Sequence, residues 1–362
     1  MTRLEKIRKS YKNIADAMLI TSEENRFYAS GMKSSAGYVL LTPNKSYLFL
    51  DFRYYEAAVR KRADGIVDSS FDIVQTAKPM TDYVKEVMTA SGLGSATVAV
   101  ENMSLTAYEY ENIANKLGDA GIKVVGDGGA VTAVRAVKDE AELSAIKSAQ
   151  KITDAAFTHI LSYIKPGVAE RDVALELEYF MRKNGADGIA FDTICVSGKK
   201  SSLPHGVPDE TLIDKGFVTM DFGAKFGGYC SDMTRTVCVG KPDEDMANVY
   251  NTVAEAQKRA LDVIRADVVG SEVDAAARDF IYANGYEGCF GHSTGHSLGI
   301  EIHENPNFSP SCKTKIPEGA VLSVEPGIYI NGKYGVRIED IVVITADGCK
   351  NLTESEKHLI IL

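Results

Sequence analysis

The stretch FVTMDFGAKFGGYCSDMTRTVCVG, Phe217–Gly240, constrains the fold more than any other part of the chain. It reads as two strands around a glycine-rich turn, with one aspartate on each side, Asp221 and Asp232. A turn centred on Phe226-Gly227 would set these two directly opposite one another, with Cβ atoms ~5 Å apart. Carboxylates at that distance repel unless one is protonated or a cation lies between them. Taken alone, the pair also fits two solvated turn acids, the commoner state of aspartate. What else converges there decides between the two.

Two glutamates lie in equally apolar surroundings. Glu325 ends the strand VLSVE and is followed at once by Pro-Gly. In GVRIEDIVVI, Val336 and Ile338 share one strand face, so Arg337 and Glu339 share the other. An acid inside such a segment is costly to bury without a partner, although a salt bridge or an exposed face would also accommodate it. Three of the six histidines crowd into GHSTGHSLGIEIHE: His292, His296 and His303. The HxxxH spacing of the first two invites comparison with zinc-protease helices, yet residue 293 is Ser, and Gly291, Gly295 and Gly299 oppose a helix. Two Asp, two Glu and one His are sufficient to hold a pair of divalent cations ~3.5–4 Å apart. Such an oxygen-rich set with one imidazole suits Mn²⁺, Co²⁺, Fe²⁺ or Zn²⁺.

At 362 residues the chain is long enough for two domains. Up to residue 130, short strands alternate with helical stretches, which predicts an α/β domain. DGGA, Asp127–Ala130, has the punctuation of a boundary. From residue 131 to 362, long amphipathic helices are separated from β-rich stretches, which predicts an α+β domain of antiparallel strands and flanking helices. The helices expected there include Asp172–Asn184, Asp245–Ala266 and one opened by a Ser271…Asp274 capping pattern. No internal sequence repeat is visible. A net charge of −10 argues against nucleic-acid and anionic-membrane surfaces, and no apolar run approaches the roughly 18–20 residues that span a bilayer. The amino terminus lacks the apolar core of a signal peptide, and the six scattered cysteines form no CxxC pair, so a cytoplasmic setting with reduced thiols is expected.

In this order, DFGAKFGGYCSDMTRT, GHSTGHSLGIEIHE, VEPGIYI and GVRIED resemble the metallopeptidases of the "pita-bread" fold, and within them the aminopeptidase P and prolidase branch of Xaa-Pro peptidases. NRFYASGMKSSAGYVLL and LFLDFRYYEAA are similar to the creatinase-like amino-terminal domain of that branch, so the resemblance covers nearly the whole chain. It implies two divalent metal ions per chain, Mn²⁺ first among them, held by Asp221, Asp232, His296, Glu325 and Glu339. It implies a catalytic set of Glu325 as proton carrier, His303 with His292 as hydrogen-bond donors to the substrate carbonyl or oxyanion, and Arg337. It places His205 among the active-site histidines and makes Phe191 and Tyr329 weaker candidates for a proline pocket, ordinary core aromatics being the commoner state of such residues. The partners implied are peptides with proline at the second position and a second copy of the chain in a homodimer.

Prolidases of this family carry an additional arginine in the loop before VEPG, whereas HENPNFSPSCKTKIPEGAVLSVEPG offers only Lys313 and Lys315. That departure favours an aminopeptidase over a strict dipeptidase, with Arg337 or a lysine left as an alternative clamp for a substrate carboxylate. A non-catalytic binding protein on the same fold would show damaged ligand positions, and none of the five is damaged.

Overall fold

The computed structural model describes all 362 residues. The chain divides into two compact units, Met1–Arg135 and Ala136–Leu362. Helix Ala130–Arg135 belongs to the first, where it packs on helix Arg3–Tyr11.

The first unit is built on a six-stranded mixed sheet. From edge to edge the strands are Phe71–Gln75, Ser46–Leu50, Tyr38–Leu41, Ala17–Ile20, Thr97–Val100 and Lys123–Gly126. Tyr38–Leu41 is antiparallel to both its neighbours, and the other three contacts are parallel. Helices Met80–Ala90 and Ala107–Gly118 bury Val84, Met88, Ile113 and Leu117 against Leu19, Leu40, Phe49 and Val98. This is the α/β domain expected from the alternating elements.

The second unit repeats one plan. A helix pair, Glu140–Ile160 and Glu170–Lys183, covers the antiparallel sheet Ile194–Ser197, Gly216–Phe222 and Met233–Val239. A second pair, Glu244–Val263 and Gly270–Ile281, covers a sheet that includes Gly295–Ser297, Val321–Val324 and Asp340–Ile344. The burial pattern recurs with it: Ile164 and Ile264, Val173 and Val273, and Met181 and Ile281 are core residues at matching places. No repeat was legible in the sequence because only apolar character recurs, not residue identity. The first half supplies Asp221 and Asp232; the second supplies His296, Glu325 and Glu339.

Two local expectations are corrected. Asp221 and Asp232 do not face one another: Lys225 pairs with Cys230 and Phe226 with Tyr229, so the turn is Gly227-Gly228 and Thr234 stands opposite Asp221. Both turn residues have positive φ, 58° and 86°, as a two-residue hairpin turn of this hand requires, and Phe226 could not serve there. The slip is by two residues, so Asp232, two before Thr234, keeps its strand face and lies diagonal to Asp221. The Ser271…Asp274 pattern is not a cap either. Helix Gly270–Ile281 begins after Val269 without a side-chain cap, and its first N–H groups at Gly270 and Ser271 donate to the carbonyls of Thr314 and Cys312.

Between Phe222 and Ala224 the hairpin ladder is interrupted at Gly223, where a Cβ would lie 2.0 Å from the Ser231 carbonyl oxygen. That backbone contact holds the two aspartate-bearing strands together beside the site. Gly223→Ala is therefore expected to cost about 1–3 kcal/mol in a thermal or denaturant melt. A variant melting like the parent protein would contradict the close approach.

Candidate metal centre

All five predicted ligand residues converge on one cavity of about 700 Å³, lined also by Phe191, His205, His292, His303 and Arg337. Tyr329 is not part of its lining. Asp221, next to last in strand Gly216–Phe222, lies at the cavity, and Asp232 follows the turn. His296 sits in the middle of the short strand Gly295–Ser297, which is no helix, and Glu325 and Glu339 directly follow strands Val321–Val324 and Tyr334–Arg337 or lie one residue beyond.

The carboxylates are buried and only partly satisfied. Asp232 is 4 % and Glu339 1 % exposed. His296 Nε2 is 3.5 Å from Asp232 Oδ2 and 3.3 Å from Glu325 Oε1. Donor atoms of Asp232, His296 and Glu339 all lie within 4.8 Å of one another. Asp221 Oδ1 and Glu339 Oε1 are buried with no hydrogen-bond partner. Four acids thus meet a single guanidinium, Arg337, which reaches one of them: its Nη2 donates to Asp221 Oδ2 at 2.7 Å. Burial pushes Asp232 and Glu339 well above the ordinary carboxylate range, reinforced by the neighbouring acids. Burial likewise raises Glu325 to about 7, with Arg337 opposing the shift. Orphaned buried oxygens and mutual repulsion are the conditions that bound divalent cations relieve, so the residues fit a metal pair.

The ring of His296 is disposed so that it could serve as a ligand. Its Nδ1 lies 3.2 Å from the Ser297 carbonyl, which can only accept, so Nδ1 carries the proton and the Nε2 lone pair faces the carboxylates. Burial lowers its pKa, which keeps the ring neutral. His303 packs edge-to-face on it, with ring centroids 4.5 Å apart.

His292 differs. Its Nδ1 must donate to the Ser293 carbonyl at 2.8 Å, and its Nε2 lies 2.8 Å from the Tyr329 hydroxyl. That hydroxyl accepts from Arg337 Nη1 at 2.7 Å, so it donates to His292. Burial, then the charge of Arg337, depresses the His292 pKa to about 3. Both ring nitrogens are thus engaged within the protein, which leaves the expected donation from His292 to substrate without a free N–H. Tyr329 is likewise a link between His292 and Arg337 rather than a wall of the pocket. Arg337 itself also donates to Thr234 Oγ1 and the Pro204 carbonyl, beside His205.

Several supporting residues escaped the sequence reading. Thr234 accepts from Arg337 and donates to Glu339 Oε2 at 2.7 Å, joining the two strands. Strand alternation from Asp232 was the signal that could have found it. Buried Asp274 pairs with half-buried Arg278: Arg278 donates to the carbonyls of Phe290 and His292, and Asp274 accepts from the Thr294 amide and hydroxyl. The Thr294 carbonyl in turn accepts from the Glu325 amide, so this pair pins both the histidine loop and Glu325. On the other side of His303, Glu304 is buried against Lys138 at 3.1 Å and accepts from the Ile300 amide.

Residues 144–346 match the model of metallopeptidase family M24, and residues 3–137 match the creatinase/prolidase N-terminal domain. The chain belongs to metallopeptidase family M24. Its architecture is the creatinase-like amino-terminal domain followed by the pita-bread catalytic domain, and it is a hydrolase. Among M24 relatives, an uncharacterized peptidase YqhT of Bacillus subtilis is 42% identical over 99% of this chain and 100% of its own. A structure of an Xaa-Pro dipeptidase from Bacillus anthracis superposes with a TM-score of 0.92 at 41% identity, covering 99% of both chains. An X-Pro aminopeptidase from Thermotoga maritima gives 0.88 at 36% identity, over 98% of this chain and 100% of its own. No helix is long and apolar enough to cross a membrane.

The raised carboxyl groups give a pH signature to the metal-free protein. Folding holds protons on Glu325 that the unfolded chain releases near 4.5, so that stabilisation is complete at lower pH and is lost as pH rises to about 7. Asp232 and Glu339 act in the same direction. Chelated protein is expected to melt at a lower temperature at pH 8 than at pH 5.5. Added Mn²⁺ should raise the melting temperature most at the higher pH. A chelated protein that gains stability across this interval would refute the buried-acid cluster.

Proposed function

We propose that this chain is a two-metal Xaa-Pro aminopeptidase of the aminopeptidase P type, releasing the residue that precedes proline. One observation carries the reading: five potential ligands from the two halves of the domain share a cavity in which buried carboxylate oxygens lack partners. Asp221, Asp232, His296, Glu325 and Glu339 would hold two divalent ions, with Mn²⁺ preferred for the oxygen-rich donor set and Co²⁺, Zn²⁺ and Fe²⁺ as alternatives. When bound, the ions supply an acidified water and a Lewis acid for the scissile carbonyl. Glu325, held by the Ser323 hydroxyl at 3.1 Å, carries the proton towards the leaving nitrogen. His303 donates to the substrate carbonyl as charge develops. Arg337 fixes Asp221, and through Tyr329 it fixes His292.

The choice of aminopeptidase over prolidase is supported by how the cations are used. A dipeptidase needs a positive group for the free carboxylate after proline. No lysine lines the cavity, Lys313 and Lys315 included, and Arg337 is committed to Asp221, Thr234, Tyr329 and Pro204. The prolidase alternative rests on relatives described as Xaa-Pro dipeptidases at comparable identity. Phe191, on the cavity wall, is the remaining candidate for the proline ring, and His205, also on the wall, for contact with the substrate. A homodimer and a cytoplasmic setting complete the reading; the second is supported by six cysteines that are all free thiols.

Chelated enzyme restored with Mn²⁺, Co²⁺ or Zn²⁺ should cleave Ala-Pro-Ala-Ala more efficiently than Ala-Pro, read by amino-acid release. Cleavage of the dipeptide alone would reverse the choice to prolidase, and cleavage of neither would remove the enzyme reading. Glu339→Ala should bind fewer than two metal ions per chain and lose activity by at least about 100-fold.

A further inference from the structure

The loop that brings Ile302 and His303 to the cavity wall is wound around a carboxylate. Glu304 Oε1 accepts from the amide of Ile300 at 3.0 Å and from that of Glu301 at 3.3 Å. The chain on either side of Ile302 and His303 therefore meets at one carboxyl group. Gly299 lies tight against the same group: a Cβ there would be 2.8 Å from Oε1 and 2.9 Å from Oε2. The Gly299 carbonyl accepts from the Cys230 amide at 2.7 Å, which ties the loop to the strand Tyr229–Cys230, just before Asp232.

The other carboxylate oxygen is held from outside the loop. Lys138 Nζ donates to Glu304 Oε2 at 3.1 Å, and the two side chains are only 1 % and 6 % exposed. Lys138 stands just before helix Glu140–Ile160 of the first half, whereas Glu304 opens a strand of the second. A buried ion pair is a weak stability device, because desolvation offsets most of its attraction and apolar side chains of similar volume often serve as well. Apolar side chains could not, however, gather two backbone amides onto one point. What the pair supplies is a fixed course for the loop. The exposed His303 ring is aimed by that backbone and by its edge-to-face contact with His296.

We propose that Lys138 and Glu304 are positioning residues for His303: together they hold residues 299–304 so that its ring meets the substrate carbonyl as charge develops there. This rests on the Xaa-Pro hydrolase reading above, in which His303 is the donor. Neither Lys138 nor Glu304 takes part in the chemistry.

The test uses metal-loaded enzyme and whichever of Ala-Pro-Ala-Ala and Ala-Pro the parent cleaves, assayed well below the melting temperature of each variant. Lys138→Met should lower kcat about tenfold or more, since a displacement near 1 Å is enough, with KM within about twofold and metal content like the parent. Adding Glu304→Gln removes the carboxylate charge as well and keeps an oxygen for the two amides, so kcat should largely recover. Adding Glu304→Leu instead removes that oxygen at the same net charge, and kcat should stay low. In His303→Ala enzyme, itself down about 100-fold, Lys138→Met should lower kcat by less than about twofold more. With or without metal, hydrogen exchange at the Ile300 and Glu301 amides should quicken at least about tenfold in Lys138→Met and return towards the parent with Glu304→Gln. Parent-like kcat in Lys138→Met, or the same loss with His303 present and absent, would overturn the positioning role and leave the hydrolase reading standing. Should Lys138→Met not fold, equal kcat in the two double variants would overturn it. Failure of the parent to cleave either peptide under any metal would overturn both.

Discussion

The structure of the catalytic unit is organised around negative charge that it buries without neutralising. Asp221, Asp232, Glu325 and Glu339 meet with one arginine among them, and two of their oxygens accept nothing. Repulsion between buried carboxylates is strong at low local dielectric, and no apolar packing around the cavity can remove it. The surrounding network is therefore built to hold these groups in place against it. Thr234 ties Glu339 to Arg337, Ser323 ties Glu325 to the His296 strand, and the Asp274–Arg278 pair fixes the loop between them. Preorganising the ligands this way spends folding stability in exchange for a site that divalent cations complete.

The doubled plan of the domain explains how such a site can exist. Each half is a helix pair on an antiparallel sheet with its own apolar core, so each is stabilised independently of the acids it carries. Bringing the halves together then converges residues that are more than a hundred positions apart in sequence, such as Asp221 and Glu339. The Cα register of the two sheets, not any local motif, sets the distances. A one-residue slip in either sheet would turn its ligands to the opposite face.

That dependence also accounts for what was legible in the sequence. The ligand residues could be picked out because acids in apolar strands are rare enough to need a reason, as with Glu339 between Ile338 and Asp340-Ile341. Strand alternation correctly put Arg337 and Glu339 together, and both reach Thr234. The facing-aspartate pairing failed on a turn detail: both Gly227 and Gly228 adopt positive φ, which moves the turn one position along. Asp274 looked like a cap because capping patterns and i,i+4 ion pairs use the same residue types, and only the loop it binds distinguishes them. The hydrogen bond from Tyr329 to His292 was invisible, since Tyr329 is brought there by a hairpin with Arg337 on the opposite strand.

The commitment of Arg337 and His292 has a consequence for selectivity. Both carry groups that would bind a peptide well, yet every nitrogen of His292 and most donors of Arg337 are used inside the protein. Releasing them for substrate would leave Asp221, Thr234 and Tyr329 with unpaired buried atoms, a cost comparable to the gain. On the proposed function, recognition would then fall to the shape of the cavity around the substrate. Proline removes the N–H that a general peptidase reads, so a cavity with scarce free donors and a fixed floor loses little on such a bond and much on others. On the proposed function, selectivity for Xaa-Pro would follow from the same hydrogen-bond economy that holds the acids together.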